Sequence, residues 1–79
     1  MTYIGSAEVR MENTGRRDRL VKAAQDAGFV VKCSEAFGVS LSGNVGPEHW
    51  YIRVLVPGDL SLVEQRAFRV KLAEAWKGL

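Results

Sequence analysis

The sequence predicts an α+β fold: a small, mainly antiparallel sheet of three to four strands with two helices on one face, in the order β-α-β-(β)-β-α. Three observations carry this expectation. Apolar and polar residues alternate over Tyr3–Glu12 and again over Trp50–Val56, the period of a half-buried strand. The spacing becomes helical from Gly15 to Ala27 and from Leu62 to about Lys77. Gly and Pro fall between these segments, where chain direction changes.

In the first strand, Tyr3, Ala7, Val9 and Met11 share one face, and Ser6, Glu8, Arg10 and Glu12 share the other. Asn13 or Thr14 can cap the helix that follows, because either side-chain oxygen can accept from a free amide of the first turn. Leu20, Ala24 and Ala27 line its apolar stripe, with Val21 and Ala23 beside it, and Gly28 suits a left-handed stop. Beyond it, Phe29, Val31, Cys33, Phe37, Val39 and Leu41 all take odd positions. Glu35 interrupts that face, so this stretch reads as one bent strand or as two strands turning near Glu35–Gly38, the second being favoured. Gly43–Glu48 reads as a loop by composition. Trp50, Ile52, Val54 and Val56 form the inner face of the next strand, which Pro57-Gly58 stops. Ser61-Leu62-Val63-Glu64 is a capping box, in which the Ser61 hydroxyl accepts from the Glu64 amide and the carboxylate reaches back. Gly78 is the stop of the second helix. The layout resembles a ferredoxin-like fold lacking its last strand, a likeness of architecture that carries no function.

Seventy-nine residues make one domain, 1–79, whose core is small because folding at this length buries only about 60% of the unfolded chain's surface. Apolar residues make up 47% and charged residues 25%, as in a folded globular chain. One cysteine excludes an internal disulfide framework and fits a reducing, cytoplasmic setting. No apolar run approaches the roughly 20 residues that span a bilayer, so no membrane is expected as a partner. The net charge of +2 is too balanced to single out a nucleic-acid binder.

Catalytic and metal chemistry find little to work with. His49 and Cys33 are the only residues of their types. Cys33 shares a face with Phe29 and Val31, which predicts a buried structural thiol, and an apolar setting disfavours the reactive thiolate. One His and one Cys with scattered carboxylates cannot close a zinc site. No glycine fingerprint joins a strand to a helix N-terminus for phosphate. No enzyme, metal or cofactor is therefore expected.

Arg16, Arg17, Arg19 and Lys22 crowd the first half of helix one, where cations oppose the macrodipole by a few tenths of a kcal/mol each. Phosphate or an acidic protein surface would relieve them, and a local alternative is pairing of Asp18 with Lys22 at i, i+4. Nucleic acid is thus a second class of partner, with Arg53 and His49 adding to the basic set. Gly46-Pro47-Glu48-His49 resembles the GPxH stretch that double-stranded RNA-binding domains carry in a loop between strands, a likeness that would cover residues 16–79. It implies Pro47 and His49 at a minor groove. The chain departs from that family where its last helix should open with lysines, reading Leu60-Ser61-Leu62-Val63-Glu64 instead, and in having one strand after His49 where the family has two. The face with Arg10, Lys32, Tyr51 and Arg53 offers one aromatic among mixed charges, sparse for base stacking.

Helix two is apolar on more than one side. Phe68, Leu72, Ala75, Trp76 and Leu79 form one stripe, and Val63, Ala67 and Val70 a second. One sheet covers one stripe, and an alanine-rich helix one has little bulk to cover more. Either Trp76 is core or it stands exposed with Tyr51 as an interface rimmed by arginine. The expected function is that of a small non-enzymatic binding protein whose partner is another protein, in the manner of phage or mobile-element inhibitors of host defence such as anti-CRISPR proteins. Arg16, Arg17, Arg19, Lys22, Tyr51, Arg53 and Trp76 are its candidate contacts, and homodimerisation would use the same surface. The alternative is a nucleic-acid module built on the basic half of helix one.

Overall fold

The computed structural model describes residues 1–79 in the order β1 (Thr2–Arg10), α1 (Thr14–Asp26), β2 (Val30–Val39), β3 (Val45–Val56) and α2 (Leu62–Trp76). The three strands form one sheet in the order β1-β3-β2, with β3 antiparallel to both neighbours. β1 and β2 therefore run parallel at the two edges, each with one free side. No helix is long and apolar enough to cross a membrane.

Both helices lie on one face of this sheet. Val9, Leu20 and Ile52 make one core cluster, and Ile4, Ala24, Phe29, Val54 and Leu72 make the other. Phe29 and Phe68 meet edge to face at 6.0 Å between ring centroids. The local signals act as anticipated at the helix ends. Asn13 caps α1 by accepting from the Arg16 amide, and Gly28 closes it at φ 91°. Ser61 and Glu64 form the capping box of α2 in both directions.

β1 departs from simple alternation. Its pairing with β3 slips by one residue between Tyr3 and Gly5, a bulge centred on Ile4. Because side chains alternate with period two, one extra residue reverses every face beyond it. Ile4 therefore enters the core and Tyr3 turns to the open side, against the expectation that Tyr3 shares a face with Ala7 and Val9. Gly5 lets α2 approach here, since a Cβ at that position would sit 3.0 Å from Leu72 Cδ2.

The stretch after Phe29 is one strand, not the favoured two. β2 pairs with β3 from Val30 to Val39 without interruption on its own side. The irregularity lies in β3, where the register shifts between His49 and Pro47 and leaves Glu48 as the extra residue. The loop is correspondingly shorter than composition suggests. It spans 40–44, closed by Ser40 N–H donating to the Asn44 carbonyl at 2.9 Å and Gly43 N–H to the Ser40 carbonyl at 2.9 Å, while Val45–Glu48 belong to β3. Pro47 is tolerated there because β1 ends opposite His49, so β3 has one neighbour and a bulge at that point.

The strands outrun the helices. Thirteen and fifteen helical residues span about 20 and 22 Å, whereas twelve strand residues span about 40 Å. The β2–β3 hairpin consequently projects past the helical layer, and the molecule measures 46 × 24 × 15 Å. Cys33, expected to be buried, is exposed for a different reason: it sits on the helix side of β2, an edge strand, opposite the buried Ile52 and with no strand on its outer side.

Candidate functional site

Most of the basic residues of α1 are occupied within the molecule. Arg16 donates from Nη1 to the Leu79 carbonyl at 2.7 Å. The Arg17 guanidinium lies 4.5 Å from the centroid of Trp50, and the same side chain bridges Asp18 at 2.9 Å. Trp50 in turn donates its indole N–H to the Met11 carbonyl at 3.3 Å. Lys22 pairs with Asp26 at 3.4 Å. The anticipated Asp18–Lys22 pair is absent because Arg17, held in place by Trp50, takes the Asp18 carboxylate. Arg19 is exposed and makes no ion pair. The electrostatic cost of cations at this helix end is thus offset by a carbonyl, an aromatic face and a neighbouring carboxylate.

Trp76 stands where α1, α2 and the sheet meet. It is half-buried, packs against both core clusters and donates its indole N–H to the Leu20 carbonyl at 3.0 Å. Of the two readings of Trp76, this is the core one. The second stripe of α2 is the uncovered one, with Val63 and Val70 exposed.

Tyr51 and Arg53 lie on the helix-free face of the sheet. Register places Tyr51 between Glu8 and Ser34, and Arg53 between Ser6 and Lys32. The Ser6 side chain and then that of Tyr3 hydrogen-bond to the Tyr51 hydroxyl and favour its phenolate, and the Arg53 charge adds to them. Together they hold it below the ordinary phenol range, against burial and the Glu8 charge. Tyr3 joins this group only because of the bulge at Ile4. His49 is on the same open face, paired across the strands with Arg10 and Ala36. Cys33 pairs with Ile52 on the opposite side, so the sole histidine and sole cysteine are kept apart by the sheet. Pro47 and His49 flank the bulge inside β3, not a loop between strands as the likeness to double-stranded RNA-binding domains implies. No three of the His, Cys, Asp and Glu side chains gather as a metal cluster.

A further uncovered apolar group lies at the far end of β2 and β3. Phe37, Val39 and Val45 line the helix-side face of the projecting hairpin at 65, 68 and 70% exposure, with Leu41 fully exposed at the tip. In that face they continue the row whose inner members, Ile52 and Val54, are wholly buried. Sequence reading missed this group by treating 43–48 as a loop. The signal that could reveal it is the mismatch in length between a strand pair and the helices available to cover it.

Comparison of the chain with known protein families, with curated proteins and with solved structures gives no match, so its own residues carry the functional argument.

Proposed function

We propose that the chain is a non-enzymatic docking protein that engages a protein partner through the β2–β3 hairpin. The observation that carries this reading is the exposed set Phe37, Val39, Leu41 and Val45 on a two-stranded arm beyond the covered part of the sheet. Burying one such side chain at an interface is worth about 1.5–3 kcal/mol. The free edge of β2 offers backbone groups for strand addition alongside the apolar row, so both affinity and register are available to a partner. Occlusion of a partner's surface, as a phage-encoded inhibitor of host defence exerts it, is the mode of action such an arm suits. The exposed, unpaired thiol of Cys33 on β2 favours a reducing, cytoplasmic setting.

The reading based on the basic half of α1 has less support, because Arg16, Arg17 and Lys22 already have partners within the fold. Affinity capture from lysate with and without nuclease, repeated with the Phe37→Ser/Leu41→Ser variant, tests the proposal. A discrete protein captured despite nuclease and lost in the variant supports it. Capture that survives the substitutions, or absence of any captured protein once nuclease has been added, overturns it. Sedimentation of the purified chain identifies the case in which the partner is a second copy.

A further inference from the structure

The helix-free face of the sheet carries an unresolved charge conflict. Lys32 on β2 lies directly across from Arg53 on β3. Like charges in directly opposed positions destabilise a strand pair. Neither residue makes an ion pair, and both are exposed. Three basic residues, Arg10, Arg17 and Lys22, are paired with a carboxylate, whereas Lys32 and Arg53 have each other directly across the strands. The one carboxylate beside the pair, Glu8, faces Tyr51 in the register.

Two aromatic rings flank these cations. Tyr51 is next to Arg53 on the same face of β3, and the bulge at Ile4 rotates Tyr3 onto that face, 47% exposed. Register sets Tyr3 opposite Leu55, two residues beyond Arg53 on the same face, so the two tyrosines stand on either side of the Arg53 charge. An anion would cancel the repulsion, and flat apolar groups would cover the rings.

We infer that this open face binds single-stranded nucleic acid, with phosphates on Lys32 and Arg53 and bases against Tyr3 and Tyr51. A strand presents both chemistries at short, regular intervals, and stacking on tyrosine needs no particular base. A duplex offers the charge and withholds the base faces. The site is independent of the hairpin row, which lies on the opposite face of the sheet.

Fluorescence anisotropy with labelled oligo(dT), labelled oligo(U) and a duplex of the same length tests the inference on the whole chain. Single strands are expected to bind more tightly than the duplex. With two phosphates neutralised, a fourfold rise in salt weakens single-strand binding by about sevenfold. Tyr3→Ala and Tyr51→Leu each weaken it by about fivefold or more. Lys32→Gln/Arg53→Gln removes most of the salt dependence, and its melting temperature stays equal or rises because the opposed charges are gone. Arg16→Gln/Arg19→Gln and Phe37→Ser/Leu41→Ser leave oligonucleotide binding unchanged. Preference for the duplex, absence of single-strand binding at low salt, or loss of binding only in the α1 variant overturns the inference.

Discussion

The indole N–H of Trp76 donates to the backbone carbonyl of Leu20 at 3.0 Å, joining the last turn of α2 to the middle of α1. The ring at the same time packs against residues of both core clusters, so one side chain closes the two-helix layer over the sheet. Trp76→Ala is expected to lower stability by about 3 kcal/mol, the low end for a large aromatic because the ring is half-buried. Trp76→Phe keeps much of the packing and loses the hydrogen bond, for about 1 kcal/mol. Urea unfolding measures both, and an unchanged midpoint for Trp76→Ala would remove the residue from the core.

The hairpin row behaves in the opposite way. Phe37→Ser and Leu41→Ser remove large apolar groups that face water, so each should fall within about 0.5 kcal/mol of the parent. Their effect belongs to association. Sedimentation velocity at rising concentration should show less self-association in the variants if the parent self-associates at all. A collapse of the thermal transition would instead place Phe37 in the core.

Two glycines separate close approach from backbone conformation. At Gly5 an added methyl meets Leu72 Cδ2 at 3.0 Å, so Gly5→Ala overpacks the contact between β1 and α2 and costs about 1–3 kcal/mol. At Gly28 nothing is near the added methyl, but φ is 91°, a conformation that costs L-residues about 1–2 kcal/mol. Truncating Leu72 to Ala should rescue only the first in a double-mutant cycle.

The Tyr51 hydroxyl titrates below its ordinary value of 10.0, chiefly through the Ser6 side chain and then through Tyr3. A depressed folded-state value means that the stabilising contribution is complete above the unfolded value and disappears as pH falls through the folded one. Phenolate absorbance follows the ionisation of Tyr51 below the ordinary phenol range. Ser6→Ala should move that step upward further than Tyr3→Phe does, and identical curves for all three proteins would refute the cluster.

The Glu64 carboxyl is likewise held below its usual range, first by the Ser61 backbone N–H and then by its side chain. Its contribution is therefore complete above the ordinary carboxylate value and lost as pH falls through the lower folded one. Glu64→Gln should flatten the acid limb of the melting-temperature profile. Ser61→Ala removes the cap and costs about 1 kcal/mol across the range. A profile for Glu64→Gln that overlays the parent's below neutral pH would contradict this.

The α+β class, both helices with their caps and stops, and the strand over Trp50–Val56 were legible in the sequence. Each rests on signals contained within a few residues: a capping box at Ser61–Glu64, a left-handed Gly28, and period-two alternation in β3. The candidate surfaces were only half legible. Tyr51 and Arg53 are where alternation places them, but Tyr3 joins them through a bulge that shows only when β1 is laid against β3. Arg16 and Arg17 lose their freedom to Leu79 and Trp50, residues 63 and 33 positions away in the chain. Cys33 and Phe37 carry the apolar pattern of a core strand and are exposed, Cys33 because β2 is an edge strand and Phe37 because the helices end before the strands do. Periodicity states which residues share a face. Whether anything covers that face depends on strand register and on the relative lengths of elements far apart in the chain, and those the tertiary structure alone decides.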